Sequence, residues 1–266
     1  MTRVAIVTGA AQGIGEAIAY KLSSDGTDVA LADLPNKKNA LEQVVKTIEG
    51  IGRKAIVIIC DVSKVNEVQD MSKMVANAGI VDHSFVLEMS DELLDRHISV
   101  NLKGTLYCYR AAAVPMIKQG RGGRIIGASS IVGIQAVATC AAYGVTKFGI
   151  RALTQTAALE WGQYNITVNA YAPGYIDTPM AAESGGGPHG ESFLPILQNS
   201  ALKRMGRPEE VAALVGFLAS EGASYVTGGS TLDTWSQSLM GHIKDKLWVQ
   251  TEATYSASGA MCITDG

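Results

Sequence analysis

VTGAAQGIGEAIA, residues 7–19, is the stretch that decides the fold. It continues the β-branched run RVAIVTG (3–9) and opens a helical pattern over 14–25. Its glycines stand at Gly9, Gly13 and Gly15, a G-x-x-x-G-x-G spacing. Glycine lets the chain turn sharply and bring its backbone close to a phosphate. A helix that starts at such a turn offers unpaired N–H groups and a positive dipole end. Strand, glycine turn and helix in this order predict a dinucleotide pyrophosphate cradled by Gly9, Gln12, Gly13, Ile14 and Gly15.

The same alternation continues outward from this unit. DVALADL (28–34), KAIVIICD (54–61), KMVANAG (73–79), GRIIGASS (123–130) and NITVNAYAPG (165–174) have strand composition. Segments 38–51, 91–119, 142–163 and 208–220 carry helical spacing. Apolar strands alternating with helices predict an α/β fold, a doubly wound parallel sheet covered on both faces. No internal repeat or low-complexity linker divides the chain. Residues 1–229 read as one dinucleotide-binding and catalytic domain, with 230–266 as an atypical C-terminal extension on the same domain. ESGGGPHGES (183–192) interrupts the pattern and is either a lid over a site or a tolerated surface insertion.

The second strand ends at Asp33, 18 residues past Gly15, where a carboxylate accepts hydrogen bonds from an adenosine ribose. It repels a 2′-phosphate, and no Arg or Lys stands immediately beside it, which favours NAD over NADP. Asp61, followed by Val62, ends the third strand, where an adenine edge would lie; a capping role for Asp61 is the alternative.

Bulk properties exclude other classes. A net charge of −3 gives no basic field for nucleic acid or an anionic membrane. Cys60, Cys108, Cys140 and Cys262 are scattered without a C-x-x-C, so they read as reduced packing residues of an intracellular, cytoplasmic protein with no metal framework. MTRVAIVTGA runs straight into the first strand, leaving no room for a signal peptide, and no apolar run reaches ~18 residues.

AAYGVTK (141–147) places Tyr143 and Lys147 one helical turn apart on a shared face. Ser130 ends the strand 13 residues before Tyr143, Asn101 lies in SVNLKGT and Asn77 in ANAG. TGAAQGIG, NAG, Asn101, Ser130, YGVTK and PGYIDT, in this order from residue 3 to about 228, closely resemble the short-chain dehydrogenase/reductase family. That resemblance implies a Rossmann-like fold and a hydride transferred between a nicotinamide cofactor and a ketone or alcohol. Tyr143 would be the general acid in reduction and the base in oxidation. A free phenol has pKa ~10; the Lys147 ammonium and the positive nicotinamide are expected to lower it. Lys147 would also hold the nicotinamide ribose, Ser130 the substrate oxygen, and Asn101 a water linking Lys147 to solvent. Gly174 and the PGYIDT segment, through the Ile176 backbone and the Thr178 hydroxyl, would hold the carboxamide. GIRALTQTAALEWGQYNITVNAYAPGYIDTPM looks most like the acetoin and diacetyl reductases of the family. Ile131, Val132, Val137, Tyr175 and Met180 would wall a small apolar pocket tolerant of several small ketones. The family commonly assembles through its two long helices, here 91–119 and 142–163, so a homo-oligomer, tetramer or dimer, is expected.

Two departures stand against the family pattern. Only residues 61–72 join the third strand to the one ending in NAG. NEVQDMSK as helix spans roughly 12 Å, which predicts a truncated helix and exposed apolar surface at that edge. Such a crossover could instead leave a member that binds NAD with impaired turnover. Second, SYVTGGS (224–230) is followed by some thirty extra residues before AMCITDG, so either STLD or AMCITD supplies the last strand. Trp235, Leu239, Ile243 and Leu247 form an apolar stripe that could cover a partner, which leaves an interaction module as a third reading.

Overall fold

β1 (Val4–Thr8), the first half of the glycine unit, lies at the centre of a seven-stranded sheet in a computed structural model that describes residues 3–69, 75–183 and 200–232. The sheet order is β3-β2-β1-β4-β5-β6-β7, and every pair is parallel. The strands are β2 (Asp28–Asp33), β3 (Ala55–Ile59), β4 (Val75–Ala76), β5 (Gly123–Ala128), β6 (Ile166–Ala172) and β7 (Ser230–Leu232). Each strand-like run falls on one of these. The order reverses between β1 and β4, and such a switch point opens a crevice at the carboxyl ends of the strands.

Helices cover both faces. α1 (Gly13–Ser24), α2 (Lys38–Gly50) and α8 (Pro208–Ala219) bury Ile18, Leu22, Leu41, Ile48, Val211 and Leu218 against one face. α5 (Gly104–Gln119) and α6 (Ala141–Trp161) bury Tyr109, Ala112, Met116, Ala157 and Ala158 against the other. Two shorter helices, α4 (Asp91–His97) and α7 (Pro179–Glu183), border the carboxyl ends. Ser90 caps α4 by accepting the Leu93 N–H at 3.2 Å, with Asp91 and Glu92 in the first turn, where acidic charge suits the dipole. The helical run 91–119 is not continuous: Ile98–Lys103 winds as a π-turn between α4 and α5, and Asn101 sits in it.

The short crossover has the expected consequence. α3 (Val65–Gln69) is five residues long, and residues 70–74 lie outside the described residues. Along β3, Ala55 and Val57 pack on the α2 side, while Ile58 packs with Cys60, Val62 and Val68 on the α3 side. Ile56 alternates onto that second side and stays 60% exposed. β6, in contrast, is buried at all seven positions.

Among the described residues STLD supplies the last strand through β7, which pairs with β6 from Ala170↔Ser230 to Ala172↔Leu232. β7 thus falls in the first residues of the 230–266 extension. The 235–248 stripe, AMCITDG with Cys262, and nearly all of the 183–192 loop lie outside the described residues. Among the described residues no helix is long and apolar enough to cross a membrane.

Candidate active site

A cleft of about 320 Å³ runs along the carboxyl ends of the strands from Asp33 to Tyr143 and Lys147. At one end the main chain does the shaping. Gly9 and Gly13 hold φ of +64° and +59°, conformations that side-chain-bearing residues rarely adopt. A Cβ on Gly15 would fall 2.1 Å from the Gly9 carbonyl oxygen and 2.6 Å from Asn77 Nδ2, so α1 can pack against the turn only with glycine there. Asn77 donates from Nδ2 to the Thr8 and Gly9 carbonyls at 2.8 and 3.2 Å. The Tyr171 hydroxyl donates to Asn77 Oδ1 at 2.7 Å and thereby fixes that amide's orientation. The N-terminus of α1 thus faces open space with Gln12, its cap residue, forming no side-chain cap bond.

Asp33 accepts the Ala11 N–H at 3.0 Å through Oδ2 and the Leu34 N–H at 2.9 Å through Oδ1. Asp61 lines the same end and accepts both the Ser63 N–H and hydroxyl through Oδ1, at 3.0 and 2.7 Å. These hydrogen bonds and Lys64 hold its carboxyl below the usual range against the opposing effect of burial. Across the cleft, the Thr178 methyl would lie 3.4 Å from a Cβ on Gly13, so the glycine turn and the PGYIDT segment face each other. Glycine turn, helix N-terminus and ribose-height carboxylate fit a nicotinamide dinucleotide.

At the other end side chains dominate. Tyr143 and Lys147 sit one turn apart on α6, with Lys147 Nζ 5.2 Å from the phenol ring centroid. Lys147 is 4% exposed and donates to the Ala128 carbonyl at 2.8 Å. Burial lowers its pKa to about 8. Burial also raises the Tyr143 phenol to about 12, while a hydrogen bond with Ser130 pulls the other way. Removal from water is the larger of the two effects. The phenol is held protonated.

Ser130 lies behind Tyr143 and caps the turn Ile131–Gly133 by accepting the Val132 N–H at 3.2 Å. Asn101 is buried. Its Oδ1 accepts the Ile80 N–H at 2.9 Å, and its Nδ2 donates to the Ile80 carbonyl at 3.0 Å and to Thr146 Oγ1 at 3.2 Å. Its side chain therefore carries the Gly79–Ile80 segment beside Lys147; a Cβ on Gly79 would lie 3.2 Å from Asn101 Oδ1 and 3.5 Å from Lys147 Nζ.

The cleft lining unites Gly9, Gln12, Gly13, Ile14, Gly15, Asp33, Asp61, Val62, Asn77, Tyr143, Lys147, Thr178 and Met180. The other expected wall residues are not part of it. The Ile176 side chain is buried in the core with α8, leaving only its backbone for a ligand, and Val137 is 37% exposed. Ser130 and Asn101 do not line the cleft either, and neither do Ile131, Val132, Gly174 and Tyr175. Among the lining residues that the sequence reading passed over are Lys37 and Tyr171. The Pro35–Lys37 turn so close after Asp33 was the available signal for the first; nothing local marks the second.

Residues 9–232 match a family model described as enoyl-(acyl carrier protein) reductase. A short-chain dehydrogenase/reductase of Armillaria gallica is 47% identical over 85% of this chain and 92% of its own length. The L-2,3-butanediol dehydrogenase of Corynebacterium glutamicum is 40% identical over 86% and 95%. The solved acetoin dehydrogenase of Salmonella typhimurium superposes with a TM-score of 0.77 at 34% identity, covering 87% and 94% of the two chains.

Proposed function

Because the chain belongs to the short-chain dehydrogenase/reductase family of oxidoreductases, we propose that it passes hydride between NAD(H) and a small ketone or secondary alcohol. Diacetyl, acetoin and butanediol are the first candidates, supported by the likeness to a butanediol dehydrogenase and an acetoin dehydrogenase. The observation that carries the reading is a buried lysine one turn from a Ser130-bonded phenol, in a cleft continuous with the glycine turn.

The nicotinamide, when bound, supplies or accepts the hydride. Asp33 would hold the adenosine ribose, and Asp61 with Val62 the adenine. The α1 N-terminus would hold the pyrophosphate, and the Ile176 backbone with the Thr178 hydroxyl the carboxamide. At neutral pH Tyr143 is protonated, the state a proton donor to a carbonyl oxygen needs. Ser130 orients that hydroxyl and would share the substrate oxygen. Lys147, fixed by Ala128, places positive charge beside the developing phenolate. Asn101 keeps the wall next to Lys147 in place. Because Asp61, Val62 and Asn77 line the cleft together with the glycine turn, the short crossover leaves the adenine side assembled, which favours an active enzyme over an impaired one.

The buried, unpaired Cys60, Cys108 and Cys140 support a reducing, cytoplasmic setting. Val114 on α5 and Val145, Phe148 and Leu159 on α6 are exposed apolar side chains, and they support a homo-oligomer packed through these two helices.

The test follows NADH absorbance with diacetyl, acetoin and larger ketones. Turnover is expected, with Tyr143→Phe slower by roughly 10²–10⁴-fold. Turnover indifferent to Tyr143→Phe overturns the assignment of the acid. Folded, NADH-binding protein that reduces none of the ketones overturns the substrate class.

A further inference from the structure

From Asn77 to His83 the chain belongs to no strand or helix, yet Gly79 and Ile80 within it line the cleft. Such a segment has no ladder to hold its main chain, so side chains must take its polar groups. Thr8 Oγ1 accepts the Asn77 and Ala78 N–H groups, both at 3.0 Å. Asn101 takes both main-chain groups of Ile80. The next grip, at Asp82, comes from a histidine that the proposed reaction does not use.

His97 ends α4, four residues before Asn101, and is 0% exposed. Its Nδ1 lies 2.9 Å from the Leu93 carbonyl oxygen, and its Nε2 lies 3.2 Å from the Asp82 nitrogen. A carbonyl only accepts and an amide N–H only donates. Nδ1 therefore carries the proton and donates to Leu93, while Nε2 accepts the Asp82 N–H. The Asp82 carboxylate stands 3.6 Å from Nε2 and pairs with the exposed Arg96 at 3.2 Å. With no proton on Nε2, the histidine holds the Asp82 main chain and not its charge.

A grip at Ile80 alone lets the segment pivot about that residue. There is little room for a pivot, because a Cβ on Gly79 would lie 3.5 Å from Lys147 Nζ. Loss of the imidazole would also leave the Asp82 N–H without its acceptor.

We propose that His97 is a positioning residue for the reactive half of the cleft. Its imidazole holds Asp82 and, together with Asn101, fixes the Gly79–Ile80 wall beside Lys147. The inference rests on the reading of the cleft as a nicotinamide dinucleotide site with Lys147 at its reactive end.

The experiment compares wild type with His97→Gln, His97→Asn and His97→Leu. Glutamine reaches far enough to accept the Asp82 N–H. Asparagine can keep the bond to Leu93 but is too short for Asp82, and leucine makes neither. NADH is titrated by nicotinamide fluorescence, and 5′-AMP is titrated as a fragment that reports the adenosine end alone. NADH affinity is expected to fall about 10-fold in His97→Asn and His97→Leu, with 5′-AMP affinity unchanged. His97→Gln is expected to stay within about 3-fold of wild type for both. The ¹⁵N shifts of the His97 ring in wild type should show a protonated Nδ1 and an unprotonated Nε2, a readout that needs no variant to fold. NADH affinity unchanged in His97→Asn and His97→Leu overturns the proposal. So does a loss shared equally by NADH and 5′-AMP, a His97→Gln as weak as His97→Asn, or a ring protonated at Nε2. Wild type that binds neither NADH nor 5′-AMP overturns the cofactor reading itself, and this inference with it.

Discussion

At the Asp33 end of the cleft the working groups are main-chain N–H and carbonyl groups and the space glycine leaves. At the Tyr143 end they are buried side chains. The first end needs no unusual ionisation: Gly9, Gly13 and Gly15 shape a turn, and Asn77 pins it through main-chain carbonyls. The second places a phenol and an ammonium where burial pushes both towards their neutral forms. A phosphate-binding turn is built by removing side chains, whereas a proton-transfer site is built by desolvating them. The two ends should therefore fail in opposite ways.

Gly15→Ala should show the largest effect on the first end. Its Cβ would sit 2.1 Å from the Gly9 oxygen, and neither α1 nor the turn can yield without losing the cradle. NADH affinity should fall at least about 100-fold, and the melting temperature should fall with it. Wild-type NADH binding by this variant would show that the turn is not the cradle.

Lys147→Met should do the reverse at the second end, abolishing turnover while raising stability. The lysine holds its charge against burial that lowers its pKa from 10.5 to about 8. Below pH 8 the folded and unfolded chains are both protonated, so the folded state bears the full desolvation penalty. Between pH 8 and 10.5 the unfolded chain keeps a proton that the folded chain has lost, so wild-type stability recovers relative to the variant as pH rises. Methionine has similar bulk and no charge but loses the bond to Ala128. A net gain of about 1–3 kcal/mol is expected at pH 7, shrinking towards pH 10.5. Thermal melts at several pH values would measure it, and a variant less stable than wild type at pH 7 would show that the Ala128 bond outweighs the burial.

The same contrast explains what could be read from the sequence. The glycine turn is local, so its residues and the helix behind it are legible within 13 positions, as are Tyr143 and Lys147 on one turn. Contacts between distant segments are not. Lys37 reaches Gln12 across 25 residues and Tyr171 reaches Asn77 across 94, and no spacing rule encodes either. The π-turn at Ile98–Lys103 hid inside a helical pattern because apolar spacing does not separate it from ordinary α-helix. The phenol's surroundings divide in the same way: the lysine one turn from Tyr143 is visible in YGVTK, but the burial that raises the phenol is a property of the packed sheet.

The sheet itself shows the smallest contrast, between a strand under full cover and one at the edge of the truncated crossover. Ile126 on β5 is 2% exposed and belongs to the core beneath α1 and α8, whereas Ile56 on β3 is 60% exposed. Ile126→Ala should cost about 2–5 kcal/mol, the transfer and cavity terms together. Ile56→Ala should stay within about 0.5 kcal/mol of wild type, because water already covers most of that side chain. Denaturant unfolding of both variants, with the slope checked for constancy, gives the comparison directly. A large loss at Ile56 would mean that another part of the chain or a partner covers β3, and the edge would no longer count as uncovered.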